Sequence, residues 1–88
     1  DIGHVGMYKV VSVFRMVRRP SKHCEHPGCF KPVDVILKDL SAGGRPWLFC
    51  SEHVKAFLDM VSKSDIDARF EAYVHVSAAG LEAFLKGE

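Results

Sequence analysis

Two short stretches decide the reading of this chain. They are Cys24-Glu25-His26-Pro27-Gly28-Cys29 and, after twenty intervening residues, Cys50-Ser51-Glu52-His53. Zinc takes four soft or borderline ligands in a tetrahedron, supplied as two close pairs that the fold brings together. Pro27-Gly28 is turn chemistry and bends the first pair into a loop whose sulfurs face one ion. The second pair straddles a helix start, so Cys50 and His53 both point back towards that loop. A helix N-terminus also favours the thiolate that a metal needs. Three cysteines cannot all pair, and a disulfide scaffold would leave one thiol unmatched. The expectation is one structural zinc held by Cys24, Cys29, Cys50 and His53. Two alternatives stay open: a local Cys24–Cys29 disulfide, and a ligand set in which His23 or His26 replaces a cysteine.

Outward from this core the elements follow from periodicity. Trp47-Leu48-Phe49-Cys50 reads as a strand, Val33–Leu37 as its hairpin partner, and Ser41–Pro46 with Gly43-Gly44 as the loop between them. Ser51 reads as an N-cap with Glu52 in the first turn. Val54, Phe57, Leu58 and Val61 recur at helical spacing, giving an amphipathic helix over 52–62. Residues 68–76 alternate, with Ala68, Phe70, Ala72, Val74 and Val76 on one side. That is a half-buried strand, with a helix running from Ser64 as the alternative. Ser77 reads as the cap of a short last helix through Leu81, Phe84 and Leu85. Upstream, residues 7–17 are β-branched and aromatic and form a long strand, ended by Pro20. Both its faces are partly apolar, so it is expected in the centre of a sheet or under cover. Residues 1–6 read as a vector or cleavage remnant, with Met7 as the native start and residues 7–88 as one domain. The fold class is therefore α+β, in the order β-β-β-α-β-α: a small mixed or antiparallel sheet and two helices around one zinc.

A pair in a Pro-Gly turn, then a hairpin, then Cys-x-x-His at the head of a helix resembles the treble-clef group of zinc fingers. Small bacterial and phage zinc-binding proteins carry similar wording, Cys-x-x-Pro-Gly-Cys followed by Leu-x-Cys-x-Glu-His. The resemblance covers residues 24–60 and implies zinc at Cys24, Cys29, Cys50 and His53. The first pair here is separated by four residues, where many treble clefs have two. Treble clefs bind nucleic acids or proteins and are occasionally catalytic, so the resemblance bears on the site more than on the function.

Composition narrows the function classes. The 88 residues are 48% hydrophobic and 26% charged, which excludes a disordered or solvating tail. No apolar run approaches the length of a membrane span, so no membrane partner is expected. No basic-then-apolar leader opens the chain, and unpaired cysteines suit a reducing compartment, so the expected location is cytoplasmic. A net charge of +1 divides into +4 over residues 1–50 and −3 over residues 51–88. Arg18, Arg19, Lys22, Lys31 and Arg45 fall around the zinc loop and hairpin, and they are the candidate contacts of a nucleic-acid-binding face. A sequence pI of about 7.9 is low for a dedicated nucleic-acid binder. No His-Glu-x-x-His, phosphate loop or deaminase pattern occurs, and four protein ligands leave no open metal position. Neither enzyme activity nor a small-molecule substrate is expected. The leading expectation is a zinc-binding module acting through protein–protein contact or self-association, with nucleic-acid binding the alternative.

Overall fold

Strict alternation over 70–75 determines the centre of the molecule. Phe70, Ala72 and Val74 are buried, while Glu71, Tyr73 and His75 between them are partly exposed. A strand with one wholly apolar face takes the middle of a half-covered sheet, and that is its place here. The computed structural model describes residues 10–64 and 68–86. In these, β1 (Val10–Met16), β2 (Val35–Asp39), β3 (Arg45–Phe49), α1 (Ser51–Ser62), β4 (Phe70–His75) and α2 (Leu81–Leu85) follow in the expected β-β-β-α-β-α order. The four strands form one mixed sheet in the order β1-β4-β2-β3. β1 runs parallel to β4, whereas β2 is antiparallel to both β3 and β4. The fold is α+β. The expected remnant 1–6 and the start of the strand at 7–9 lie outside the described residues.

One face of the sheet carries the core. Val35 and Leu37 of β2 and Ala72 and Val74 of β4 are fully buried. Against them pack Val54, Leu58 and Val61 of α1, and Leu81 and Leu85 of α2. Phe57 of α1 joins Trp47, Phe49 and Phe70 in an aromatic cluster, with ring centroids 5.0, 4.8 and 5.8 Å away. The opposite face is different. The register places Phe14 beside Tyr73, Tyr73 beside Ile36, and Ile36 beside Leu48, so one apolar row crosses all four strands. Phe14 is 44% exposed and stacks on Tyr73 at 5.2 Å.

Several local readings change. β1 is an edge strand, not a central one: among the described residues it pairs with β4 alone. Apolar residues on both of its faces reflect one face on the helices and one in the apolar row, and neither requires a second neighbour. The hairpin strands shift to 35–39 and 45–49, and β3 includes Pro46, which an edge strand tolerates. Cys50, not Ser51, holds the N-cap position of α1 in extended conformation, without a side-chain cap. Ser77 does not cap α2. It lies in a single 3₁₀ turn at Val76–Ala78, where the His75 imidazole accepts from the Ser77 N–H, and α2 begins after Gly80. The helix alternative for 64–76 is excluded over 70–75, which is strand.

Candidate metal centre

Each half of the site is shaped by its own sequence. In the first, the Cys29 N–H donates to the His26 carbonyl at 3.0 Å, and Gly28 has φ of +80°. Proline second and a positive-φ glycine third is the pattern of a type II turn, a backbone that side-chain-bearing residues rarely adopt at the third position. A bridge between His23 and Pro32, with the Cys24 N–H donating to the Lys31 carbonyl at 3.0 Å, closes the loop. In the second half, β3 ends at Phe49 and the chain enters α1 through Cys50, whose carbonyl accepts from the Val54 N–H at 3.1 Å. The Glu25 N–H donates to the Leu48 carbonyl at 2.9 Å and fastens the loop to β3.

The two halves meet. Cys24 Sγ, Cys29 Sγ, Cys50 Sγ and a ring nitrogen of His53 all lie within 4.8 Å of one another. Cys29 Sγ is 3.9 Å from Cys50 Sγ, and His53 Nδ1 is 3.3 Å from Cys50 Sγ and 3.5 Å from Cys24 Sγ. Zinc-like bond lengths on a tetrahedron place sulfur about 3.8 Å from sulfur and about 3.6 Å from nitrogen, so the set fits one ion. In the structure all three cysteines are free and none forms a disulfide. His23 and His26 stand outside the cluster. His26 instead lays its ring flat on His53, with centroids 3.8 Å apart and planes parallel, and its Nδ1–H donates to the Pro27 carbonyl at 3.0 Å. Sequence left His26 open as an alternative ligand, and no local pattern signals a ring stack formed across 27 positions of chain.

The electrostatics favour a thiolate at Cys50 and oppose one at Cys24. Burial pushes the Cys24 thiol up, opposed by N–H groups of Cys50 and His26. Burial acts the same way on Cys50, but the N–H groups of His53 and Glu52 at the helix start outweigh it, and this thiol is held below its ordinary range. Lys31 donates to Glu52 at 3.0 Å across the mouth of the site, which holds the Glu52 carboxyl below the usual carboxylate range.

The candidate nucleic-acid residues are dispersed in their roles. Lys31 pairs with Glu52, and Arg19 pairs with Asp34 at 2.8 Å. Arg45 meets Glu25 at 3.5 Å and covers the Trp47 ring at 3.6 Å. Arg18 and Lys22 are exposed with no ion-pair partner among the described residues. Among the described residues no helix is long and apolar enough to cross a membrane. No family model, curated protein or solved structure matches this chain.

Proposed function

We propose that this chain is a non-catalytic, zinc-stapled module of treble-clef type that acts by binding another protein. The treble-clef reading is supported by the order loop, hairpin and helix, with one ligand pair in the loop and the other at the helix start. Zinc is supported by a Cys₃His donor set, since soft thiolates with imidazole favour it over oxygen-seeking ions. Four protein ligands complete the tetrahedron and leave no position for a substrate or a water nucleophile. A reduced thiolate site suits the cytoplasm.

The observation that carries the binding role is the apolar row Phe14–Tyr73–Ile36–Leu48 on the face without helices. An aromatic and aliphatic stripe bordered by polar residues is what protein interfaces use at their centres. The neighbouring row, Ser12–Glu71–Lys38–Pro46, supplies that border. Nucleic-acid binding is the weaker reading, because Lys31 and Arg45 each already face a carboxylate. A carboxylate also stands beside the aromatic pair, where Tyr73 donates to Glu71 at 3.2 Å.

The test combines two measurements on zinc-loaded protein. A photo-crosslinker at Phe14 is expected to trap a protein, either a second copy or a distinct partner, that Tyr73→Lys releases. The same group at Lys63, away from the row, is expected to trap none. Oligonucleotide binding that falls steeply with salt, and whose slope flattens in Arg18→Ala with Lys22→Ala, would instead establish the nucleic-acid role.

A further inference from the structure

A second feature lies away from the metal centre, outside the ends of the strands. β1, β3 and β4 all deliver their carboxyl ends to one side of the sheet, and β2 begins there. An open, shallow cleft of about 400 Å³ lies there, and its lining includes Arg19, Asp34, Ser51, Lys55 and Ser77.

The polar groups in it are ordered for an anion. Arg19 Nη2 donates to Asp34 Oδ1 at 2.8 Å and to Ser77 Oγ at 3.0 Å. Ser77 in turn donates to His75 Nδ1 at 2.7 Å, so the hydroxyl orients the arginine and is itself committed. A guanidinium has five N–H donors, and one nitrogen serves both of these partners, so most of the fork stays open. Lys55 stands one helical turn after Ser51 on α1, and its ammonium lies 5.6 Å from the Phe84 ring centre. Asp34, the one acid in the lining, is engaged by Arg19. Two cations against one committed carboxylate leave a local excess of positive charge.

We propose that this cleft is a subsite for a phosphate monoester, with Arg19 and Lys55 supplying charge and Ser51 a hydroxyl donor. A tetrahedral phosphoryl group presents three oxygens in different directions and can accept from a fork, an ammonium and a hydroxyl together. A carboxylate has two oxygens in one plane and satisfies fewer of these donors. The remaining volume takes the alcohol part of the ester. This assignment stands apart from the apolar row and does not depend on it.

The experiment titrates the zinc-loaded full chain, labelled with ¹⁵N, at constant ionic strength. Inorganic phosphate and O-phosphoserine form separate arms, with chloride as the reference. The expected result is saturable shifting of the Ser51, Lys55, Ser77 and Gly80 amides, with O-phosphoserine binding more tightly than inorganic phosphate. Lys55→Ala and Arg19→Ala each weaken binding roughly tenfold, the loss of one charge-assisted contact, and Arg18→Ala leaves it unchanged. Lys55 is exposed on α1, so its variant reports on the site even if Arg19→Ala loosens the fold. Shifts that never saturate, an undiminished affinity in Lys55→Ala, or equal weakening by Arg18→Ala would overturn the site. Tighter binding of inorganic phosphate than of the ester would overturn the monoester assignment.

Discussion

The two edges of the sheet are held in different ways. β3 is flanked by the metal loop, which donates the Glu25 N–H to Leu48, and it carries Pro46, which cannot donate to any further strand. β1 is held by the parallel ladder to β4, the stack of Phe14 on Tyr73, the packing of Val10 and Val13 on the core, contacts with α2 and an exposed ion pair from Arg15 to Glu82 at 2.8 Å. Its outward residues include Val11, which the β-bulge at this end of the ladder leaves 55% exposed. An edge without proline or an unpaired charge remains open to pairing, whereas the metal edge is closed. One sheet thus has a stapled side and a side held by apolar packing and pairing. Perturbations should separate the two.

The largest separation is expected from the metal. Cys50→Ser should remove the ion and unfold residues 22–62, because structural zinc contributes on the order of 10 kcal/mol of apparent binding energy in small finger peptides. A native domain has only about 5–15 kcal/mol to lose, so even half of that term decides the outcome. Elemental analysis should find about one zinc per chain in the parent protein and none in the variant. A chelated protein that keeps its full thermal transition would break the comparison, since the stapled side would then stand without its staple.

Phe70→Ala tests the part that both sides share. Phe70 is buried in β4 and meets Phe57 of α1, so its loss should cost about 3–5 kcal/mol and lower one transition common to both edges. Two resolved transitions in that variant would show that the sides fold separately.

His26→Ala sharpens the division within the stapled side. The ring stack on His53 contributes about 0.5–1.5 kcal/mol by analogy with aromatic pairs, so the variant should keep its zinc and lose a few degrees of thermal stability. Loss of metal stoichiometry would make His26 necessary to the centre rather than a support for it.

The smallest effect belongs to the open side. The Arg15 guanidinium beside Glu82 holds that carboxyl below its usual range. A lowered folded-state value means the pair stabilises above the ordinary carboxylate range and ceases to do so as pH falls through the folded value. Both groups are solvent-accessible, so the contribution is screened. Glu82→Gln should therefore flatten slightly the acid limb of stability against pH, and only at low salt. An unchanged metal content in this variant keeps the two edges distinct, and a lost ion would join them.

What sequence alone determined here is whatever rests on local spacing. The two close pairs Cys24/Cys29 and Cys50/His53, the Pro27-Gly28 turn, the helix through Val54, Leu58 and Val61, and the β-β-β-α-β-α order all follow from neighbours within a few positions. Metal geometry and the periods of helix and strand are short-range constraints. Tertiary structure alone decided that β4 sits between β1 and β2, that β1 runs parallel to β4, and that β1 ends as an edge. A two-residue period specifies which face is buried but carries no label for the partner strand. It also decided the pairing of Lys31 with Glu52 and of Arg45 with Glu25, turning charges that looked available for phosphates into internal contacts. Apolar residues on both faces of residues 10–16 suggested a covered strand. One face lies on the helices and the other joins Tyr73, Ile36 and Leu48 across the sheet, an alignment that exists only once four separate segments are in register.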